Sequence, residues 1–143
     1  MTIQIGNAPC SWGVERAEDA RNPTWQTVLE ECAHAGYSGI ELGPIGFMPE
    51  DPNVLGPALA KYNLTLIGGV VFQPFHDPIE WELVKYAIQR TCKTLTAHGA
   101  KHLVLIDSIS PRRAPTAGRA SEAEQMDQQE WDGFRDRLKT AAH

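Results

Sequence analysis

The stretch Gly36-Tyr37-Ser38-Gly39-Ile40-Glu41-Leu42 decides how this chain folds. A glycine closes the amphipathic segment before it, a short apolar segment follows, and the carboxylate of Glu41 precedes a loop rich in Gly and Pro. An apolar strand that ends in a polar residue and leads through a loop into a helix is the repeating unit of parallel α/β proteins. The stretch therefore predicts a βα unit whose chemistry lies at the C-terminal end of the strand.

Three further segments read as strands of the same kind, and helical patterns separate them. The predicted strands are Ile3–Ala8, Gly39–Leu42, Thr65–Phe72 and His102–Ile106. Side-chain caps and prolines mark the predicted helix starts, which are Asn22-Pro23, Asp51-Pro52 with Gly56-Pro57 as the alternative, Asp77-Pro78-Ile79-Glu80, and Asp127-Gln128-Gln129-Glu130. Apolar residues at helical spacing then predict the buried faces: Trp25, Val28, Leu29, Cys32 and Ala33 in the first helix, Val84, Ile88, Thr91, Cys92 and Leu95 in the third, and Trp131, Phe134 and Leu138 in the fourth. Gly36 is the predicted stop of the first helix, and Asn63 can take the left-handed exit of the second.

The resulting order is β-α four times, at roughly 30 residues per unit. A right-handed series of parallel strands forms an open sheet or part of a closed barrel. The segment 9–13, Pro-Cys-Ser-Trp-Gly, is too bulky for the phosphate loop of a flavodoxin-like sheet. A full barrel takes about 250 residues, so the fold class predicted for these 143 residues is α/β, the (βα)4 parallel half of a TIM (β/α)8 barrel. We expect a single domain over residues 1–143, truncated after its fourth βα unit.

Composition narrows the possible partners. The net charge of -5 argues against a nucleic-acid partner. No apolar run approaches the roughly 18 residues of a membrane span, and the N-terminus lacks the features of a signal peptide, so the expected location is cytoplasmic. Cys10, Cys32 and Cys92 show no C-x-x-C spacing and are interpreted as reduced thiols, Cys32 and Cys92 as buried ones.

Three segments together, 8–12, 36–42 and 64–69, resemble the sugar phosphate isomerase/epimerase group of xylose isomerase-like TIM barrels. Within that group the likeness is greatest to inosose (2-keto-myo-inositol) dehydratases. The resemblance implies a divalent metal (Mn, Mg, Co or Zn), a sugar or inositol derivative as substrate, and proton abstraction next to a carbonyl. In this group the metal ligands come from strands five to eight, so no residue of this chain is assigned as a ligand, and the chain by itself is expected to be inactive.

Five residues at or just beyond strand ends remain as candidates for one wall of a substrate pocket. Trp12 either stacks on a ligand or caps the core. Glu41 and His76 are the catalytic candidates. The alternatives are a structural ion pair or a loop brace for Glu41 and an ordinary, partly exposed loop position for His76. Asp107 either binds substrate or braces the loop that follows it. Phe72 is either a stacking surface or part of the core.

Other interpretations stay open at this stage. Arg112, Arg113 and Arg119 either clamp a phosphate or are solvated. Because the last helical pattern runs to the end of the sequence, a non-catalytic fragment or a docking subunit is an alternative to an enzyme. Exposed strand edges of a half-barrel predict self-association. An enzyme resembling endonuclease IV is a lower alternative, since strand four ends in Asp107 where that chemistry needs a histidine.

Overall fold

The computed structural model describes residues 3–142 of the chain, and its centre is a four-stranded parallel sheet in the order β1-β2-β3-β4. The strands are β1 (Gly6–Asn7), β2 (Gly39–Glu41), β3 (Thr65–Gln73) and β4 (His102–Asp107). The helices are α1 (Trp25–His34), α2 (Pro52–Lys61), α3 (Trp81–Ala97) and α4 (Gln128–Ala141). Each strand neighbours the next strand along the chain, as in a barrel, which confirms the predicted α/β class and its four βα units.

The chain divides into two compact units. The first unit extends up to Val71 and also contains Gln89–Val104. The second unit contains Phe72–Ile88 and the residues from Leu105 onward. The main apolar core belongs to the first unit, whereas the loops that follow β3 and β4 belong to the second.

Helix α1 forms much of the first unit's core. Its predicted stripe is confirmed at Val28, Leu29 and Cys32, which are fully buried. Burial raises the pKa of the Cys32 thiol. Cys10, by contrast, is exposed and Cys92 is partly buried, so the prediction of a buried thiol is confirmed for Cys32 and only partly for Cys92.

The start of α1 differs from the prediction, whereas its end agrees with it. Thr24 is the N-cap, and its Oγ1 accepts the backbone N–H of Thr27 at 3.2 Å. The predicted start at Asn22-Pro23 is wrong because the Asn22 side-chain amide donates to the backbone carbonyl of Arg16, at 2.6 Å, and caps nothing. Gly36 follows the helix with φ +87°, the left-handed conformation that the predicted glycine stop requires.

Helix α2 begins at Pro52, one of the two starts that the sequence predicts. The Asp51 side chain accepts the backbone N–H of Asn53 at 2.9 Å. Pro57 lies inside the helix, so the alternative start at Gly56-Pro57 is wrong. Asn63 leaves the helix with φ +53°, the predicted left-handed exit.

Strand β1 is shorter than predicted. It pairs with β2 only through Gly6 opposite Gly39 and Asn7 opposite Ile40. As the edge strand of the sheet it is covered by β2 on one side alone, and Ile5 is 59% exposed. The strand predicted over Ile3–Ala8 therefore forms only at Gly6 and Asn7.

Strand β3 depends on two glycines for its close contacts. A Cβ at Gly68 would lie 2.9 Å from the backbone oxygen of His102 in β4, and a Cβ at Gly69 would lie 2.9 Å from Cγ2 of Thr91 in α3. Both distances are shorter than carbon atoms normally allow. Side chains at these two positions would therefore push β4 and α3 away from β3.

In the second unit, α3 begins later than predicted. The Asp77 side chain accepts the backbone N–H of Ile79 at 2.8 Å, which forms a local turn, and the helix begins only at Trp81. The predicted capping box of Asp77 and Glu80 is therefore wrong, because the Asp77 carboxylate stabilises the turn and not the helix. The buried side of α3 is confirmed at Val84, Ile88, Thr91 and Leu95.

The capping box of α4 forms as predicted. The Asp127 side chain accepts the backbone N–H of Glu130 at 2.8 Å, and the Glu130 side chain accepts the backbone N–H of Asp127 at 2.9 Å. The predicted apolar face contacts its surroundings only partly, since Trp131 is half-exposed and no residue of α4 is fully buried. The ring centroids of Trp131 and Phe134 are 5.8 Å apart.

Candidate functional site

The residues predicted to form a pocket wall are divided between the two units. Trp12 and Glu41 lie in the first unit, whereas Phe72, His76 and Asp107 lie in the second. The structure brings His76 and Asp107 into direct contact, and that pair is the centre of the candidate site.

Two hydrogen bonds join His76 to Asp107. The Nδ1 atom of His76 lies 2.8 Å from Oδ1 of Asp107, and the same oxygen accepts the backbone N–H of His76 at 3.0 Å. The two side chains are 23% and 29% exposed, so water and small solutes can reach them. Asp107 ends β4 and His76 lies in the loop that follows β3, as expected where the ends of adjacent parallel strands meet.

This contact determines the chemistry available to the imidazole. An ionised carboxylate can only accept hydrogen bonds. In a neutral His76 the proton therefore lies on Nδ1, and this N–H donates a hydrogen bond to Asp107. Nε2 is then left with its lone pair. A histidine in this state can take a proton at Nε2, and the neighbouring carboxylate stabilises the imidazolium that forms.

The loop that carries His76, residues 74–80, is held by charged groups on both sides. Asp107 binds the N–H of His76. Arg137 of α4 donates from Nε to the carbonyl of Phe75 at 2.7 Å and from Nη2 to the carbonyl of His76 at 2.8 Å. The Phe75 side chain, in the same loop, is 1% exposed.

Sequence reasoning missed Arg137. A signal was present, because Arg137 lies next to Phe134 and Leu138 on the apolar side of the predicted helix, where a charged residue needs a partner. The partner could not be identified from the pattern, since the two carbonyls lie 61 and 62 residues away in the chain.

An open concavity of about 880 Å³ adjoins the pair. His76 and Asp107 line it together with Ser108, Ser110 and the loop of residues 108–127. Hydroxyl groups, a carboxylate and an imidazole at one surface can exchange hydrogen bonds with a polyhydroxylated ligand.

The loop of residues 108–127 is held by ion pairs. Arg112 pairs with Glu124 and, at 3.6 Å, with Glu130, while Nε of Arg119 lies 2.9 Å from Glu122. The Arg112 guanidinium lowers the pKa of Glu124, and Glu124 raises the pKa of Arg112. Arg112 and Arg119, two of the three arginines considered as phosphate ligands, are therefore paired with carboxylates of the same loop and of α4.

Glu41 ends β2, where it pairs with Gly68 of β3 after an irregularity in the register. Its side chain is partly buried, and within residues 3–142 the structure shows no hydrogen bond or ion pair to it. Its catalytic role stays a prediction.

Trp12 and Phe72 have different environments. The Trp12 indole N–H donates to the Glu31 carboxylate at 2.7 Å, and its ring packs partly against the apolar core of the first unit. Phe72, in the second unit, is 53% exposed. The substrate-binding role assigned to both residues stays a prediction.

Among the described residues, no three His, Cys, Asp or Glu side chains form a group that could hold a metal ion. The divalent metal implied by the family resemblance therefore stays a prediction, and none of residues 3–142 is assigned as its ligand. Over the same residues, no helix is both long enough and apolar enough to cross a membrane.

Comparison with known proteins supports the fold. No protein-family model and no curated protein matches the chain. Among solved structures, it is similar to a protein described as a xylose isomerase-like TIM barrel/4-hydroxyphenylpyruvate dioxygenase fusion protein, with a TM-score of 0.63 and 15% sequence identity. The match covers 99% of this chain and 20% of that protein. The chain thus has the fold of half a TIM barrel, and its structural neighbour is of the xylose isomerase-like kind.

Proposed function

We propose that this chain supplies the acid–base wall of a sugar-binding TIM barrel related to the isomerases, epimerases and inosose dehydratases. The observation that carries the proposal is the pair of hydrogen bonds from His76 to one oxygen of Asp107. The fold comparison adds support through the description of its neighbour as xylose isomerase-like.

In the proposed reaction, Nε2 of His76 takes a proton from the carbon next to a substrate carbonyl. Asp107 holds Nδ1–H and stabilises the imidazolium. Return of the proton to the former carbonyl carbon, with a proton passing from the hydroxyl oxygen to the former carbonyl oxygen, gives an isomer. Protonation of the same carbon from the opposite face, by a second acid, gives an epimer. Transfer of the proton to a hydroxyl that departs from the next carbon breaks that C–O bond, forms a C=C bond and releases water. The hydroxyl groups of Ser108 and Ser110 are placed on the same concavity and would bind substrate hydroxyls.

The remaining parts of such a site are also proposals. A divalent metal would be held by residues outside these four βα units, on a further segment or on a partner. Catalysis by Glu41 and substrate binding by Trp12 and Phe72 belong to the same proposal. Without the metal, substrate binding is expected of this chain, but turnover is not.

The test is a titration of the isotope-labelled chain with 2-keto-myo-inositol, followed through the imidazole signals of His76. We expect a saturable shift with a dissociation constant on the order of 1 mM, because a partial pocket makes few contacts. His76→Gln should abolish the response in the signals of Ser108. His102→Gln, which changes an exposed histidine at the start of β4, is the matched control and should preserve it. Absence of a shift, or an equal shift with glycerol, would overturn the proposal.

We also propose that the chain self-associates through the edges of its sheet. Strand β4 is an edge strand in which exposed and partly buried residues alternate, and Val104 and Ile106 are 44% and 42% exposed. Exposed apolar edge strands pair readily with other strands. Light scattering should give a mass above that of one chain, and Ile106→Lys should reduce it. A monodisperse monomer at high concentration would contradict this proposal.

A further inference from the structure

We propose that Arg137 is a positioning residue for His76, an inference that rests on the proposed acid–base role of that histidine. Arg137 lies in α4, far along the chain from the loop of residues 74–80. Its guanidinium binds the carbonyls of Phe75 and His76, the residue that would exchange the proton and the residue before it.

The two contacts use the fork of the guanidinium. Nε lies 2.7 Å from the Phe75 oxygen and Nη2 lies 2.8 Å from the His76 oxygen, so consecutive carbonyls are bound by two donors of one rigid plane. A planar fork fixes direction as well as distance, which a lysine ammonium does not. Arg137 thereby restrains both peptide groups that follow the α-carbons of Phe75 and His76.

Asp107 and Arg137 bind the two backbone polar groups of His76. Asp107 accepts the backbone N–H of His76, and Arg137 binds the carbonyl of His76. With the backbone held at both ends, the imidazole can meet the carboxylate at 2.8 Å without reordering the loop. Orientation of a base by surrounding contacts is what keeps its free nitrogen directed to one place.

Arg137 and Arg135, both in α4, have different partners. Arg135 pairs with Asp132 at 2.9 Å, an exposed contact within one helix. For Arg137, the structure shows no ion pair with any of residues 3–142, and its hydrogen bonds go to the two carbonyls. The positive charge of Arg137 is thus committed to the loop of residues 74–80.

Gly133 provides an independent test of this arrangement. A Cβ at Gly133 would lie 3.2 Å from Nη1 of Arg137, closer than nearly all such contacts. Glycine is a poor helix former and alanine a good one. Gly133→Ala should therefore favour α4 as a helix and at the same time shift the guanidinium that holds the loop by a few tenths of an ångström.

The experiment measures the state of His76 directly and does not require a substrate. The chain is labelled with ¹⁵N at its histidines, and imidazole spectra give the proportion of the Nδ1–H tautomer of His76. In the same sample, the rate of ethoxyformylation by diethyl pyrocarbonate is measured at His76 and compared with the rate at exposed His34. The variants are Arg137→Gln, Arg137→Lys and Gly133→Ala, and Arg135→Gln is the matched control for loss of one positive charge from α4.

We expect Arg137→Gln to move the His76 signals toward those of a freely exchanging imidazole and to change its modification rate, with Arg137→Lys intermediate. Gly133→Ala should produce the same change in direction without loss of helix content, and Arg135→Gln should leave His76 as it is. Unchanged His76 spectra and rate in a folded Arg137→Gln chain would overturn the inference. If Arg137→Gln does not fold, unchanged His76 spectra and rate in Arg137→Lys, which lacks the planar fork, would overturn it equally. Failure of the unmodified chain to bind sugar would instead contradict only the proposed function.

Discussion

Replacing Asp107 tests whether the contact with His76 holds the loop of residues 74–80 as the geometry indicates. Asp107→Ala removes both hydrogen bonds, the one at 3.0 Å to the His76 N–H and the one at 2.8 Å to Nδ1. Hydrogen bonds to a charged group contribute about 1.5–3 kcal/mol each when well protected. Since the Asp107 side chain is 29% exposed, the low end applies, and we expect a total loss of about 3 kcal/mol.

Asp107→Asn separates the two hydrogen bonds. Asparagine keeps a side-chain oxygen that can still accept the His76 N–H, but it loses the negative charge that favours Nδ1–H. We therefore expect Asp107→Asn to cost about 1 kcal/mol, clearly less than the alanine variant. Asp136→Ala, at an exposed position in α4 whose carboxylate lies 3.4 Å from Lys139, is the matched control and should change stability by about 0.5 kcal/mol or less.

The assay is urea unfolding followed by the fluorescence of the chain's four tryptophans and by circular dichroism. With an m-value of about 2 kcal/mol/M, a loss of about 3 kcal/mol lowers the midpoint by about 1.5 M. An Asp107→Ala midpoint within about 0.3 M of the unmodified chain, at an unchanged m-value, would contradict this prediction. It would mean that water replaces the carboxylate at no cost and that Asp107 does not hold His76 in place.

Two further predictions concern packing and charge. Gly68→Ala should destabilise the chain by about 1–3 kcal/mol because its Cβ would meet the β4 backbone. Gly56→Ala lies inside α2, where the atom nearest to the new Cβ is 3.5 Å away, and should stabilise the chain by up to about 1 kcal/mol. Equal urea midpoints for the two variants would contradict this prediction. Arg112 lowers the pKa of Glu124, so the stability from their pair is present above the unfolded-state pKa of Glu124 and is lost as the pH falls through the lower folded-state value. A carbon-detected titration should show the Glu124 midpoint rising toward the ordinary glutamate value in Arg112→Gln, and an unmoved midpoint would count against the pairing.

Local features were predicted well where one short segment supplies all the atoms. The Asp127 and Glu130 capping box, the Gly36 stop and the Asn63 exit each need only neighbouring residues, and all three form. The errors arose where a polar side chain had more than one local partner. Asn22 and Asp77 each look like a helix cap, but one binds a carbonyl six residues back and the other closes a turn.

Local sequence patterns were sufficient to predict the series of four βα units and the location of polar residues at strand ends. Apolar periodicity and turn residues act over a few positions, and parallel strands must place their C-terminal ends at one edge. His76 and Asp107 could therefore be nominated separately. The folded chain was needed to show that one carboxylate oxygen of Asp107 binds His76 twice and that Arg137 binds the carbonyls of Phe75 and His76. Those contacts join residues 31 and 61 positions apart, and such distances are set by how strands and helices pack, which no short sequence pattern records.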